Sequence, residues 1–145
     1  MTDSKPDHHG IPGELWERLA QAALTVRPNA HVPYSKFPVG AALLAEGDEI
    51  VTGCNVENAT IGATVCAERN AIGSAITAGY RRFRALCVVT SVHPPSAPCG
   101  ICRQVLAEFC DDLPIMLLHP DGDFRFTTLD ELLPMRFSGR DFVDE

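Results

Sequence analysis

The sequence predicts an α/β fold: one three-layer α/β/α domain built around a mixed central sheet of about five strands. Its 145 residues suit a single domain with one sizeable core. Short apolar runs of strand length alternate along the chain with segments of helical periodicity. This alternation indicates βαβ units, whose crossover connections are right-handed. The sequence contains no internal repeat or low-complexity segment that would favour another architecture.

The chain begins with a polar segment and a helix. Residues 1–12 are polar and include two prolines and a glycine, so we expect a flexible tail followed by one domain over residues 13–145. Apolar residues then recur at helical spacing over residues 13–27, which predicts a helix with one buried face. Trp16 lies on that face and is expected in the core or in an interface.

Five apolar segments have the length and composition of β-strands. Residues 39–45 and 50–56 flank a Gly-Asp turn and predict a hairpin. Residues 85–90 form a continuous apolar run, which is typical of a central strand buried on both faces. Residues 114–118 predict another short strand, and residues 124–127 predict an edge strand. These segments account for the expected sheet.

Two further helices are predicted at the segments that carry most of the chemistry. The first covers residues 66–78, with Thr64 as its N-cap. The second follows Pro98, which suits the first helical position, with Ser96 or Ala97 at the cap. The residues that this second helix is expected to bury are Ile101, Val105, Leu106 and Phe109. Both helices should begin at one edge region of the sheet, so that their N-termini meet.

Three thiols lie at the starts of these two helices. Cys99 and Cys102 are three residues apart and share one helix face, so both sulfurs can reach one ion. Cys66 has a similar setting, and the positive end of a helix dipole favours the thiolate that binds metal. Three protein ligands leave one position of a zinc ion open, as catalytic sites do. We therefore predict that Cys66, Cys99 and Cys102 are zinc ligands.

Charged neighbours of these cysteines complete the predicted centre. Glu68 lies two residues beyond Cys66 and can move a proton between a zinc-activated water and a substrate. Three thiolates over-neutralise zinc and weaken that activation. Arg69 and Arg103 each lie close to a ligand cysteine, and either could restore acidity by donating hydrogen bonds to sulfur. His93 is a conceivable fourth ligand, but it would close the position that water needs.

Five motifs follow one another along the chain. They are YSKFPVGAAL at residues 34–43, GCNVENA at 53–59, CAER at 66–69, PCGICRQ at 98–104 and ELLP at 131–134. This set, in this order, resembles the free-nucleoside cytidine deaminases, and the similarity extends over nearly the whole chain. The resemblance implies the cytidine deaminase fold and one zinc ion per subunit. It also implies hydrolytic deamination of cytidine and deoxycytidine to uridine and deoxyuridine, with release of ammonia, as in pyrimidine salvage. Glu68 would shuttle the protons, and zinc would carry the attacking hydroxide.

The resemblance also assigns substrate contacts. Residues that match Asn55 and Glu57 hold the ribose hydroxyls in the family, a role that suits an amide and a carboxylate. The residue that matches Phe37 packs against the pyrimidine, and Ala67 is expected to contact the substrate as well. A phenylalanine after the LLP motif reaches the active site of a neighbouring subunit, which implies that role for Phe137. Because the short members of the family are homotetramers, we expect a homotetramer with sites at subunit contacts.

Plainer interpretations of these residues stay open on the sequence alone. Without the resemblance, Phe37 would be a core residue, and Asn55 and Glu57 would be polar residues at an ordinary strand end. Ile61 departs from the family, which often has an aromatic residue at this place. An aliphatic side chain can neither stack nor donate a hydrogen bond. The departure therefore affects nucleoside or subunit contacts and does not touch the metal chemistry.

Three rival functions also fit part of the pattern. The zinc motif alone is equally suited to deamination of another aminated nucleoside or of a nucleoside antibiotic. A non-catalytic protein in which zinc only staples the fold is a second rival, and a fourth protein ligand would indicate it. The third rival is a thiol oxidoreductase that uses the CGIC segment at residues 99–102, although a lone C-x-x-C motif is weak evidence.

Charge and composition argue against several partners. The net charge of −7 disfavours a nucleic acid, because proteins that bind nucleic acids present basic patches. The basic cluster of Arg81, Arg82 and Arg84 follows Gly79 at a predicted helix end, where cations complement the helix dipole. No apolar stretch is long enough to cross a membrane, and residues 1–6 show no apolar signal region. We therefore expect a cytoplasmic protein with reduced cysteines, which acts on a small nucleoside without nucleic acid or membrane partners.

Overall fold

The computed structural model describes residues 5–142, which form a domain around a five-stranded sheet. The strands are β1 (Gly40–Ala45), β2 (Ile50–Cys54), β3 (Phe83–Val89), β4 (Pro114–Leu118) and β5 (Phe124–Thr128). Their order across the sheet is β2-β1-β3-β4-β5. Strands β3 and β4 are parallel, and the other neighbouring pairs are antiparallel. The sheet is therefore mixed and has five strands, as the sequence predicts.

Helices cover both faces of this sheet. They are α1 (Gly13–Val26), α2 (Ala67–Thr77), α3 (Gly100–Phe109) and the short α4 (Leu129–Leu132). In strand β1, Ala41 and Leu43 pack in the cluster that contains α2 and α3, whereas Leu44 packs in the cluster that contains α1. This alternation buries both faces of the central strands and confirms the three-layer α/β/α arrangement. None of the described helices is long and apolar enough to cross a bilayer.

The connections between strands place the starts of α2 and α3 side by side. Helix α3 joins the parallel neighbours β3 and β4, which gives one βαβ unit within the described residues. Helix α2 instead joins β2 to β3. These two strands are not neighbours, because β1 lies between them and pairs antiparallel with each. The sequence pattern suggests a more regular series of βαβ units, because periodicity reports the type of each element but not the direction of its pairing.

Composition predicts a flexible tail over residues 1–12, but residues 5–12 pack against α1 and against β5 on the face of the sheet that α1 covers. The Asp7 carboxylate accepts a hydrogen bond from the Gly13 amide at 2.7 Å, at the start of α1. The His8 ring stacks on Phe126 of β5 with centroids 3.9 Å apart, and its carbonyl accepts a hydrogen bond from the Trp16 indole. Local composition cannot predict this packing, because some of the contacts are with residues far away in the sequence, such as Phe126. Residues 1–4 lie outside the described part of the chain.

Both functional helices begin one or two residues later than expected. Cys66, and not Thr64, is the N-cap of α2, because its carbonyl accepts the first helical hydrogen bond, from Asn70. Cys99 is likewise the N-cap of α3, so Pro98 precedes the helix instead of opening it. The prediction that α3 buries Ile101 is also wrong, since Ile101 is 62% exposed. The buried stripe of α3 runs through Cys102 and Leu106.

Candidate metal centre and active site

Three cysteines meet where α2 and α3 begin. Cys66 and Cys99 are the N-caps of the two helices, and Cys102 lies in the first turn of α3. Their sulfurs all lie within 4.8 Å of one another, and the Cys66 and Cys99 sulfurs are 3.9 Å apart. Cys102 is buried, Cys66 is partly buried and Cys99 is exposed. The three thiols therefore converge on one point that solvent reaches from the Cys99 side.

The sulfurs influence one another electrostatically. Hydrogen bonding with the Cys102 thiol, assisted by the Arg69 guanidinium, lowers the pKa of Cys66 to about 5. The pKa of Cys102 is raised, first by the same hydrogen bond with Cys66 and then by burial. One of the three thiols therefore ionises readily, whereas ionisation of a second is opposed by repulsion between the negative charges. A bound divalent cation would neutralise these charges, and thiolate sulfur is a ligand that zinc prefers.

The two arginines near the cysteines have different contacts. Arg69 donates a hydrogen bond to the Thr64 carbonyl at 3.1 Å, and its guanidinium lies 3.8 Å from the Cys66 sulfur. Arg103 instead donates to the carbonyls of Pro98 and Leu132, at 2.7 and 2.8 Å. Arg103 therefore braces the loop before Cys99, whereas Arg69 is the cation in direct contact with a sulfur.

Glu68 lies next to the three thiols in a nearly dry environment. Its side chain belongs to the first turn of α2, and the residue is only 5% exposed. Burial raises the pKa of this carboxyl group to about 7, because a buried charge loses its hydration. A carboxyl group of this pKa can both take up and release a proton near neutral pH.

A cavity of about 200 Å³ opens beside the thiols and brings several predicted site residues together. The predicted site residues that line it are Phe37, Asn55, Cys66, Ala67, Glu68 and Cys99. An open cleft of about 490 Å³ shares Thr64, Cys66 and Cys99 with this cavity. Glu57 and Arg69 line that cleft. These predicted residues therefore divide between an inner cavity and an outer cleft, which meet at Cys66 and Cys99.

Asn55 fixes the loop that carries Phe37. Its side-chain oxygen accepts a hydrogen bond from the Val39 amide, and its side-chain nitrogen donates one to the Phe37 carbonyl, both at 2.9 Å. Glu57 supports the same loop from the other side, because its carboxylate accepts hydrogen bonds from the amides of Tyr34 and Ser35. These bonds hold the Phe37 ring at the cavity wall.

Phe137, Ile61 and His93, all considered in the sequence analysis, lie away from the inner cavity. Phe137 lines neither the cavity nor the cleft, and it is 56% exposed with its ring against Phe142. Ile61 lines the outer cleft and is 72% exposed. His93, considered as a fourth ligand, belongs to a separate cluster with His119. Among the described residues, the sulfur group therefore consists of three ligands.

Thr90 and Ser96 also line the inner cavity, and sequence reasoning missed them as site residues. Thr90 follows β3 directly and is buried, and its hydroxyl accepts a hydrogen bond from the Ser96 amide at 3.1 Å. This bond shapes the loop that ends at Cys99. The sequence does offer a signal for this pair. Thr90 is a polar residue at the end of an otherwise apolar run, and Ser96 follows six residues later in the loop that leads to Cys99.

Known proteins share this combination of fold and site. Residues 14–117 match the sequence profile described as the cytidine and deoxycytidylate deaminase zinc-binding region. The chain belongs to the cytidine deaminase family. The matched region contains all three cysteines, whose sulfurs lie close enough together to hold one metal ion, and zinc is the cofactor of this zinc-dependent family.

Individual cytidine deaminases are similar over most of their length. A cytidine deaminase of Sporosarcina psychrophila is 50% identical over 126 residues, which cover 86% of this chain and 93% of the relative. The crystal structure of a cytidine deaminase from Burkholderia pseudomallei has a TM-score of 0.80 and 47% identity, covering 83% of this chain and 98% of that one. A blasticidin-S deaminase of Bacillus cereus is more distant, at 32% identity over 72% of this chain and 79% of the relative.

Proposed function

We propose that this protein hydrolyses cytidine and deoxycytidine to uridine and deoxyuridine, with release of ammonia. The observation that carries the proposal is the convergence of three thiols and a buried carboxylate, Glu68, on one cavity. A metal that only staples a fold is usually held by four protein ligands, whereas a catalytic zinc keeps a position for water. Among the described residues the sulfur group has three members, which favours the catalytic role.

Zinc, when bound by Cys66, Cys99 and Cys102, supplies the Lewis acidity that makes a water molecule a nucleophile near neutral pH. Glu68 accepts a proton from the attacking water and delivers it to ring atom N3, which makes C4 electrophilic. It then carries the second proton from the added oxygen to the amino group. The C4–N4 bond breaks, and ammonia leaves. One carboxylate suffices because the two transfers follow each other.

Arg69 tunes the acidity of the centre. Its guanidinium faces the Cys66 sulfur and withdraws charge from it, which offsets the excess negative charge of three thiolates. Its hydrogen bond to the Thr64 carbonyl holds the guanidinium in this position. Arg103 contributes by bracing the Pro98 carbonyl, and through it the backbone of Cys99.

The substrate occupies both the inner cavity and the outer cleft. The pyrimidine lies in the inner cavity between Phe37 and Ala67, within reach of Glu68. The sugar points outward to Asn55 and Glu57. Although Asn55 already binds two backbone groups, it retains one N–H and one lone pair for a hydroxyl. Glu57 also retains lone pairs, because carboxylate oxygens accept several hydrogen bonds.

We infer that four copies of the chain assemble, with active sites at their contacts. Large apolar residues are exposed around the cleft and beyond it, and such surfaces mark interfaces. They include Tyr34, Ile61, Ile101, Met135, Phe137 and Phe142. Because Phe137 lines neither the inner cavity nor the outer cleft, its proposed place is the active site of a neighbouring copy.

The cytoplasm is the proposed location of the enzyme. Its six cysteines are free thiols, and a thiolate zinc site needs reduced sulfur, which the cytosol maintains. The proposed partner is a free nucleoside, and the net charge of −7 makes nucleic acid an unsuitable one.

The test is the ultraviolet spectrum of cytidine, and separately of deoxycytidine, incubated with zinc-replete protein. We expect both spectra to change to those of the uracil nucleosides, with one ammonia released per nucleoside. Protein stripped by a chelator should be inactive, and added zinc should restore turnover. Zinc-loaded protein that leaves both nucleosides unchanged would contradict the proposal.

A nucleoside antibiotic is the second candidate substrate. A blasticidin-S deaminase is a more distant relative of this chain, and Ile61 departs from the family at the cleft. The same assay with blasticidin S decides between the two candidates. A higher kcat/KM for the antibiotic than for cytidine would make it the primary substrate, and the metal chemistry would be unchanged.

A further inference from the structure

A second group of metal-ligating side chains lies at one end of the central strands. His93 is in the loop after β3, and His119 directly follows β4. Because β3 and β4 are parallel neighbours, their carboxyl ends lie at the same edge of the sheet and bring the two histidines together. Asp121 and Asp123 belong to the turn between β4 and β5. None of these four residues lines the inner cavity or the outer cleft.

The spacing of the nitrogen and oxygen atoms suits a shared cation. One ligand atom each from His93, His119 and Asp121 lies within 4.8 Å of the others. His93 Nε2 is 3.1 Å from Asp121 Oδ2, and both atoms are proposed ligands. Ligand atoms around a tetrahedral zinc, with bonds of about 2.0–2.1 Å, lie about 3.4 Å apart. Closing movements of these side chains, together with rotation of one imidazole ring, therefore create a site.

Neighbouring groups hold the candidate ligands in place. His93 Nδ1 lies 3.4 Å from Asp123 Oδ2, so this carboxylate can orient the ring while Nε2 faces Asp121. His119 Nδ1 accepts the Asp121 amide N–H at 3.0 Å, which leaves its Nε2 for a metal. Asp121 Oδ1 accepts the Asp123 amide N–H at 2.8 Å, which leaves Oδ2 directed toward His93. Oriented histidines of this kind are typical of metal sites.

We propose that His93, His119 and Asp121 bind a divalent transition-metal cation of the zinc type, with Asp123 orienting His93. Two imidazoles and a carboxylate suit zinc, cobalt or nickel, whereas magnesium and calcium prefer ligand sets made of oxygen. The site is distinct from the thiol centre in its residues and in its ligand chemistry. It takes a cation in addition to the zinc of the catalytic centre.

The alternative is an ion-paired cluster without metal, in which both histidines are protonated. The two imidazole rings are stacked, with centroids 3.8 Å apart and planes inclined by 17°. Imidazole binds a metal through a nitrogen lone pair in the plane of the ring, and stacked rings direct these lone pairs side by side. One ring must therefore turn before both nitrogens reach the same ion. The ion-paired cluster needs no such rotation, and the number of metal ions per chain distinguishes the two arrangements.

Metal binding would connect the loop that leads to Cys99 with the turn between β4 and β5. His93 lies in the same loop as Ser96 and Cys99, and His119 begins the turn that leads to β5. The loop is already fixed by the hydrogen bond from the Ser96 amide to Thr90 and by one from Arg125 to the Pro95 carbonyl. A cation at His93 adds a third link, so binding should raise the thermal stability of the folded protein.

The experiment measures zinc per chain in full-length protein whose thiol centre is already loaded. After equilibrium dialysis against low-micromolar free zinc, we expect two zinc ions per wild-type chain. His119→Gln and Asp121→Asn should each hold one. The matched control, His9→Gln, removes a histidine that faces a single carboxylate, Asp112, and should hold two. One ion in the wild type, or two in both cluster variants, would overturn the proposal.

A second measurement does not depend on the folding of any variant. Cobalt added to zinc-loaded wild-type protein should produce visible d–d bands without the charge-transfer bands of a cobalt–thiolate site, and should raise Tm. Nitrogen and oxygen ligands give that spectrum, whereas exchange into the thiol centre gives the charge-transfer bands. Absence of the d–d bands, or their appearance only at millimolar cobalt, would also overturn the proposal.

Discussion

At the scale of single residues, Glu68 has the clearest expected effect. Replacing it by glutamine preserves shape and burial but removes the group that carries protons. We expect Glu68→Gln to lower kcat by about 10²–10⁴-fold, the usual contribution of general acid–base catalysis. Zinc content should stay at the wild-type value, because the substitution leaves the three thiols in place.

The measurement is kcat for cytidine together with zinc per chain. Glu14→Gln is the matched control, since Glu14 is exposed in the first turn of α1. That variant should keep wild-type kcat. If Glu68→Gln retained full activity with zinc bound, the proton-transfer role of Glu68 would be wrong.

The cysteines should separate into two classes when they are alkylated. Burial raises the pKa of both Cys87 and Cys110 to about 12, so neither forms a thiolate near neutral pH. After a chelator removes zinc, we expect iodoacetamide to modify Cys66 and the exposed Cys99 first. Zinc should protect both, and peptide mass spectrometry would identify the modified residues.

Unfolding provides the control for this experiment, because all six cysteines should react in denaturant. Modification of Cys87 in the folded protein as fast as that of Cys99 would show that the core packing is described incorrectly. Equal rates with and without zinc would count against the thiols as the metal ligands.

Residue chemistry explains which site residues the sequence could reveal. Cys99 and Cys102 were predictable as partners because three-residue spacing on a helix fixes which side chains share a face. The different contacts of Arg69 and Arg103 were not, since each follows a ligand cysteine within three residues. Only the path of the chain decides that Arg103 meets the Leu132 carbonyl, 29 residues away.

At the scale of elements, the contact between β2 and α2 positions the centre. A Cβ atom on Gly53 of β2 would lie 2.4 Å from the Ala71 nitrogen and 2.5 Å from the Ala67 oxygen, both in the α2 backbone. We expect Gly53→Ala to destabilise the protein by about 1–3 kcal/mol or more, as overpacking does. Activity should fall further, because α2 begins at Cys66 and carries Glu68.

Gly73→Ala is the control within the same helix. Nothing lies within 4 Å of a Cβ at Gly73, so alanine should stabilise α2 by about 0.5–1 kcal/mol. Urea unfolding of both variants measures the two free-energy changes, and kcat measures the displacement of the site. A Gly53→Ala variant as stable as Gly73→Ala would contradict the close packing of β2 on α2.

Elements were more predictable in type than in their ends. Strand β4 spans the predicted residues, because an apolar run bounded by polar segments has few other arrangements. The start of α3 was misplaced, because Pro98 suits a first helical position as well as the residue before a cap. In the structure, the Cys99 carbonyl accepts the first helical hydrogen bond, from the Arg103 amide, so Cys99 is the N-cap and Pro98 precedes the helix. Sequence periodicity does not report which carbonyl accepts that bond.

At the scale of the whole molecule, long-range contacts determine what composition cannot. Lys5 pairs with Glu17 at 3.3 Å, and Ile11 is only 4% exposed, so residues 5–12 cover part of the α1 face. A polar segment is predicted as a tail because local composition ignores the surface that distant elements offer. The three layers were predictable, since central strands that are apolar on both faces require helices on each side.

The exposed apolar residues beside the cleft predict how the chain assembles. Ile101 is 62% exposed and lines the cleft next to Cys99, so a neighbouring copy that covers it would also complete the site. We expect light scattering to give the mass of four chains for the wild type and a smaller mass for Ile101→Glu. Because Ile101 lies outside the sulfur group, the variant should keep its zinc and lose activity through dissociation.

Val92→Glu is the control for this prediction. It places a charge at an exposed valine outside the cleft and should stay tetrameric. A wild-type monomer with full activity would show that one chain suffices, and Phe137 would then have no part in catalysis.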